Sequence, residues 1–350
     1  MARQRAKTST PTLRDVALAA GVAASTVSRV FSQPGRLSAD TVTRIRSIAA
    51  EMGYEPDHAA RALSTGRTDT VALLVPDIAN PFFPPLIKGV ERYLQARGIA
   101  VLLAETDEEA DLESSLTITL RGRADGVIIA SPRGEVEDLM AITGDVPLVL
   151  VNRDVPGANR VLINTVQGMR EAVAHLADLG HLRLAYLGGP ERSWSNTERM
   201  TAFLGATQEH GLEAVLLHSD RPDYPSGWKA VHSVLESKAT GVIAYDDVLA
   251  QGLMAGLAKE GVRVPYDLSI IGCDDLVAPV TVPPMTSIRT SAELAGQMAA
   301  QQLEVLLARP RTGSHDEALV DILPTTLCVR ESTAPRPDRA FSPGGGLRRP

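Results

Sequence analysis

Between Thr12 and Gly53 apolar residues recur at helical spacing in three short bursts. Leu13, Val16, Ala17 and Ala20 fall on one face of a first helix, opened by Thr12 with Asp15 as a capping-box pair and closed by Gly21, which can take the left-handed cap. In the second burst Val27, Val30 and Phe31 form the apolar stripe, and Ala24, Ser25, Thr26, Ser28 and Arg29 lie off it. The third runs from the cap Ser38 through Val42, Ile45, Ile48, Ala49 and Met52 to Gly53. Three helices this short must close one small core, and a tight turn between the first two predicts a helix-turn-helix.

The stretch "YEPDHAARALSTGRTD" follows, with Pro56 near a helix start and Ala59, Ala60 and Leu63 on one face. It is too short to hold a helix alone. From Thr70 the pattern changes to continuous apolar runs alternating with helical segments: "VALLVP", "IAVLLAET", "DGVIIAS", "VPLVLVN", "RVLIN", "LRLAYLGG", "EAVLLHS", "TGVIAYD" and "LSIIGCDD". Strands that are apolar on both faces and separated by helices predict parallel sheets covered on both sides. The pattern occurs twice, since "ADGVIIA" parallels "ATGVIAY" and the segments around them match in order. Two similar α/β lobes follow, with loops from the carboxyl ends of the strands converging on a cleft. The segment from Thr333 is rich in Pro, Gly and Arg and predicts disorder.

Composition changes this picture in one respect. The chain of 350 residues carries a formal charge of -7, and residues 1–67 hold ten Lys and Arg against five acids, so the front is +5 and the remainder -12. A basic module on an acidic body suits a phosphate backbone as partner at one end only. The opening "MARQRAKTSTPT" is charged but lacks the apolar segment of a secretion signal, and no apolar run reaches membrane-spanning length. A cytoplasmic protein without a membrane partner is expected. Cys273 and Cys328 fit no metal-ligand spacing and are expected to be buried apolar residues. No phosphate loop, dinucleotide fingerprint or nucleophile motif is present, and His175, His181, His210 and His218 have no metal-ligand spacing. Neither catalysis nor a cofactor is expected.

The segments "TLRDVALAAGV", "STVSRV", "GYEPDHAARALSTGRT", "PDIANPFF", "GCDD" and "PPMTSIR" occur here in order, from about Thr12 to Ser332. Together they resemble the lactose repressor family of bacterial transcription regulators. The resemblance implies an N-terminal all-α helix-turn-helix domain plus an α/β periplasmic-binding-protein-like core of two parallel-sheet lobes. It divides the chain into a DNA-binding domain over 12–55, a hinge helix or linker over 56–67, and an effector-binding and dimerisation domain over 68–332. Lobe 1 would take about 69–163 and 291–323, and lobe 2 about 164–290 and 324–332, leaving 333–350 as a disordered tail.

On the DNA side the resemblance assigns contacts with a pseudo-palindromic double-stranded operator to Thr12, Ala24, Ser25, Thr26, Ser28, Arg29 and Arg36. It adds Ala60 and Leu63 from the hinge, with Leu63 as the minor-groove wedge. Arg29 is the candidate for bidentate guanine readout, and Thr26 and Ser28 for phosphate. Asp57 stands where the family often has Asn, and Ala23 where it prefers a capping Ser. For the effector, polyol recognition needs aromatic faces and bidentate charged groups. Phe82 and Phe83 supply the first, Arg153, Arg199 and Asp274 the second, and Asn80 and Tyr245 match further ligand positions. Asn152 replaces a common Asp, Tyr245 a common Asn and Cys273 an aromatic, so a standard pentose or hexose pocket is not implied.

The expected protein is a homodimeric repressor controlled by a small molecule of carbohydrate type. A corepressor-dependent regulator is the alternative within the class. A solute-binding receptor would share the body but needs a secretion signal, and an enzyme on this fold would need catalytic residues in the cleft.

Overall fold

The computed structural model describes residues 11–32, 34–54, 67–309 and 317–337. The chain forms two compact units that divide between Asp69 and Thr70.

In the first unit, α1 (Leu13–Ala20), α2 (Ala24–Ser32) and α3 (Ala39–Met52) enclose Val16, Ala17, Ala20, Val27, Val30, Ile45 and Ala49. Their ends follow local chemistry. The Thr12 amide donates to Asp15 Oδ2 at 2.8 Å while Asp15 N donates back to Thr12 Oγ1 at 3.4 Å. The Thr12 amide first, and then the Thr12 hydroxyl, which donates to Asp15 Oδ2 at 2.7 Å, hold the exposed Asp15 carboxyl below its ordinary pKa. Gly21 and Gly53 end α1 and α3 at φ of 63° and 66°, the left-handed region that a side chain would strain. Ala23 O receives the Thr26 and Val27 amides at the start of α2, where alanine has no side chain to add a cap.

The second unit contains two six-stranded sheets. The first comprises β1 (Thr70–Val75), β2 (Ala100–Glu105), β3 (Gly126–Ala130), β4 (Leu148–Val151), β5 (Asn159–Asn164) and β11 (Val320–Pro324), in the order β2-β1-β3-β4-β5-β11. The second comprises β6 (Arg183–Leu187), β7 (Glu213–Leu217), β8 (Gly241–Ala244), β9 (Ser269–Asp274), β10 (Thr286–Arg289) and β12 (Thr326–Cys328), in the matching order β7-β6-β8-β9-β10-β12. The duplication seen in the sequence is thus a duplication of topology, with each order reversing beside the first strand of its sheet. That reversal opens a crevice at the carboxyl ends.

All pairings are parallel except β10 with β12, which is antiparallel. β10, β11 and β12 were not among the nine expected strands: each is short, and β11 and β12 lie at sheet edges without an apolar run. The connecting helices are α4 (Phe83–Gln95), α5 (Ala110–Arg121), α6 (Val136–Thr143), α7 (Thr165–Asp178), α8 (Trp194–Glu209), α9 (Tyr224–Lys229), α10 (Val231–Glu236), α11 (Asp247–Lys259) and α12 (Ala292–Ala308).

The chain crosses between sheets three times, after β5, after β10 and between β11 and β12. Thr325, in the last crossing, donates from Oγ1 to Asn164 O at 2.7 Å and receives the Gly168 amide at 3.2 Å, which ties two crossings together. After the second crossing α12 returns to the first sheet and packs on α4 through facing glycines. A Cβ on Gly89 would lie 2.0 Å from Glu293 O, and one on Gly296 would lie 2.1 Å from Leu86 O, so only glycine permits this approach.

Two expectations fail. The first residues of the supposed disordered tail are built into the second sheet's surroundings: the Ala334 amide donates to Ser269 Oγ at 3.1 Å, Ala334 O accepts from Ser269 Oγ at 3.3 Å, and the Arg336 amide donates to Leu179 O at 2.9 Å. Residues 338–350 lie outside the described residues. Cys273 is buried, but Cys328 is only half-buried because β12 is an edge strand; both are free thiols. Among the described residues no helix is long and apolar enough to cross a membrane.

Candidate functional site: an inter-lobe cleft and an exposed recognition helix

Loops at the carboxyl ends of β1, β3 and β4 face those of β6, β8 and β9 across the crevice. From lobe 1, Asn80 follows β1. Its Oδ1 accepts the Phe82 amide at 3.0 Å and its Nδ2 donates across the cleft to Asp246 Oδ2 at 2.9 Å, both buried. Phe82 and Phe83 meet edge to face with centroids 5.2 Å apart. They are core residues and cleft lining at once. Arg133, after β3, is 4% exposed. Its Nε donates to Glu108 at 2.5 Å and its Nη1 to Ser131 O at 2.7 Å. Behind it, buried Glu113 accepts the amides of Arg133 and Gly134 at 3.0 and 2.9 Å. Burial raises the pKa of that carboxyl, and the two amides pull it back.

From lobe 2, Ser193 caps α8 and exchanges a hydrogen bond with the Tyr245 hydroxyl at 3.1 Å. Gly189 lies against the Tyr245 ring so closely that a Cβ there would be 2.6 Å from it. Arg199, in the second turn of α8, donates from Nη1 to Tyr245 O, lies 4.8 Å from the Tyr245 ring centroid, and has Nη2 3.5 Å from Asp274 Oδ1. Its Nε is buried without a hydrogen-bond partner among the described residues. Asp274 ends β9 at φ 104°, a costly conformation for a residue with a side chain, which aims its carboxyl along the cleft beside Arg199.

Three buried carboxyls therefore share the site with one guanidinium on their side. Burial first, and then the Asp274 charge, push Asp246 up to about 8 and Asp247 up to about 7. Burial also raises Asp274, against the pull of Arg199. Asp247 has the better donors: Ser287 Oγ at 2.6 Å and the amides of Leu276, Val277 and Ala278. Asp246 has the Leu249 amide at 2.8 Å and Asn80, so of the two it holds its proton more firmly at neutral pH.

Six of the seven effector candidates, Asn80, Phe82, Phe83, Arg199, Tyr245 and Asp274, line this one cleft. Arg153 does not. Asn152 takes φ 54° and its Oδ1 accepts the Ile163 amide at 3.1 Å, and Arg153 lines a second cavity at the cleft's outer edge. The sequence reading missed Arg133, Glu108, Ser131, Ser195 and Asp246, which line the inner cleft. Of these only Asp246 had a usable signal, as an acid directly after a strand. Among the described residues no cluster of three or more His, Cys, Asp or Glu side chains is placed to hold a metal ion.

In the first unit, Ala24, Ser25 and Arg29 are exposed on α2, as are Thr12 and Arg36, while Thr26 and Ser28 are half-buried. The exposed face of α2 is the one its apolar stripe leaves free. Ala60 and Leu63 lie outside the described residues.

Residues 12–57 match the family described as bacterial regulatory proteins, lacI family, and residues 173–333 match the periplasmic binding protein-like domain. The HTH-type transcriptional regulator DegA of Bacillus subtilis (strain 168) is 32% identical over 335 residues, 93% of this chain and 98% of DegA. The chain belongs to the lacI family. Its members are transcriptional regulators rather than enzymes, and this chain is a DNA-binding regulator of that class. The regulator CelR of Thermobifida fusca is 34% identical over 92% of this chain and 98% of CelR. A CelR–cellobiose complex superposes with a TM-score of 0.69 at 31% identity, covering 92% of this chain and 99% of that one. A lac repressor dimer bound to operator and the anti-inducer ONPF gives 0.82 at 25% identity, covering 93% and 100%. The family's two-part architecture, helix-turn-helix and two-lobed core, is the one described above.

Proposed function

We propose that this protein is a cytoplasmic homodimeric repressor whose hold on a pseudo-palindromic operator is switched by a saccharide bound between the lobes. In this reading residues 12–55 bind DNA, 56–67 form the hinge, and the two lobes sense the effector. Arg29, Ala24 and Ser25 read base edges, with Thr12, Thr26, Ser28 and Arg36 on phosphates and Ala60 and Leu63 in the minor groove.

One observation carries the effector half: the unpartnered Nε of buried Arg199, set beside Asp274 in a cleft walled by both lobes. A buried donor without a partner costs free energy that a ligand hydroxyl would recover, and a guanidinium beside a carboxylate suits a hydroxyl that donates and accepts. A ligand touching both lobes biases their relative geometry, and through the hinge the spacing of two recognition helices. The exposed Leu102 and Leu103 on edge strand β2 and Leu112 and Ile118 on α5 suit a face covered by a second copy. The relatives support saccharide as the class, since CelR is recorded with cellobiose and another family member with ribose.

The test is a titration of purified protein with a saccharide panel, combined with retardation of operator DNA with and without each ligand. Release of DNA by the bound sugar is the expected result, and tighter DNA binding would instead make the sugar a corepressor. Arg199→Ala should lose sugar affinity by about tenfold or more while keeping ligand-free DNA binding; unchanged affinity and response would remove Arg199 from the mechanism.

A further inference from the structure

The inner cleft encloses only about 20 Å³, room for about one water molecule. Immediately outside it lies a second inter-lobe cavity of about 600 Å³, within the usual range of ligand sites. Arg133 lines both. The two spaces therefore meet at one buried guanidinium, whose Nε is engaged by Glu108 and whose Nη1 is engaged by Ser131 O.

The outer cavity takes its walls from both lobes: Glu135 and Arg153 after β3 and β4, and Glu191, Arg192 and Trp194 at the start of α8. Asp154 is there too, but is taken by Arg160 at 2.6 Å. Arg133 is likewise taken, by Glu108 at 2.5 Å. That leaves two guanidinium groups, Arg153 and Arg192, and two carboxylates, Glu135 and Glu191, none in an ion pair with another side chain among the described residues. An anionic ligand would be repelled by as many groups as attract it. A neutral polyhydroxy ring uses both signs, because each hydroxyl donates to a carboxylate and accepts from a guanidinium. Trp194 supplies the flat apolar face that the C–H side of such a ring needs.

We propose that the effector is a neutral saccharide of at least two rings that parts the lobes as it binds, opening the Asn80–Asp246 bridge, with one ring between the Phe82–Phe83 and Arg199–Asp274 walls and the next in the outer cavity against Trp194. This rests on the saccharide reading above and extends it to ligand length and charge. Arg153, displaced from the inner cleft, becomes a specificity residue for the second ring.

The experiment is calorimetry of the full chain with matched series: glucose, cellobiose and cellotriose; glucose, maltose and maltotriose; xylose, xylobiose and xylotriose; and galactose with lactose. Glucose 6-phosphate serves as the anionic control. In one series the disaccharide should bind at least about thirtyfold more tightly than its monosaccharide. Trp194→Ala should weaken the disaccharide by about tenfold and the monosaccharide by less than about threefold, with Trp194→Phe close to wild type. A monosaccharide that binds as tightly as its dimer, a Trp194→Ala effect equal on both, or preference for the sugar phosphate each overturns the proposal while leaving a cleft-bound effector intact. Binding by no member of any series overturns the saccharide reading itself and this inference with it.

Discussion

Asp246→Asn probes the one cleft carboxyl that both joins the lobes and carries a proton. Asp246 is 1% exposed, caps α11 through the Leu249 amide, and takes the Asn80 amide across the cleft. Its pKa stands at about 8, raised by burial and then by Asp274, whereas the unfolded chain returns it to about 3.9. Between those values the folded state holds a proton that the unfolded state releases. Folding stability therefore falls as pH rises through this window, by about 1 kcal/mol per pH unit for one proton, and levels off above it. Asparagine does not titrate, so the variant lacks this slope.

It also carries an offset that does not depend on pH. The new amide keeps an acceptor for Leu249 but presents a donor to Asn80, which must turn over and abandon the Phe82 amide, at about 1 kcal/mol. His175 and His181 act in the opposite sense, since burial lowers both pKa values and stability is lost as pH falls through their range. They and Asp247 are common to both proteins and largely cancel in the difference. Urea unfolding of wild type and variant at about pH 5.5, 6.5 and 7.5 reads that difference. The variant should gain about 1 kcal/mol on the wild type per pH unit. A difference constant across the three conditions would show that Asp246 is ionised throughout, and the electrostatic account of the cleft would fall.

Three other outcomes test separate links. A fragment beginning at Thr68 should stay folded and bind saccharide but lose operator binding; specific DNA retardation by that fragment would contradict the division of labour. Arg29→Ala, assayed by selecting operators from random DNA, should relax one guanine position, a discrimination of about 1–3 kcal/mol, and an unchanged consensus would exclude direct guanine readout. Gly89→Ala would set a methyl 2.0 Å from Glu293 O and force α4 and α12 apart. It should lower unfolding free energy by about 1–3 kcal/mol, and an unshifted denaturation midpoint would mean that the helices slide apart at no cost.

What the sequence disclosed depended on whether the physics was local. Thr12, Asp15, Gly21 and Gly53 set their helix ends through bonds within a few residues, so their roles could be read before any fold existed. Seven of the nine expected strands lie inside their sheets and were legible because parallel strands covered on both faces are continuously apolar, and the exposed edge strands β2 and β7 were legible because they keep the same apolar run. β10 to β12 and the ordered start of the tail escaped for the opposite reason. Thr326–Cys328 and Ala334 are held by backbone bonds to β10 and to Ser269, and a backbone donor looks the same in every residue. The cleft divides in the same way. Arg199 and Asp274 could be singled out by residue type and place, but Arg133 becomes a site residue only through Glu108, Ser131 and the loop after β3 that buries it. Asp246 is distinguished from its neighbour Asp247 solely by partners: a lobe-spanning amide for the first, against a hydroxyl and three amides of its own lobe for the second. Adjacent acids with the same burial thus take different duties, Asp247 fixing the loop after β9 and Asp246 bridging the lobes, and only the three-dimensional arrangement of donors decides which does which.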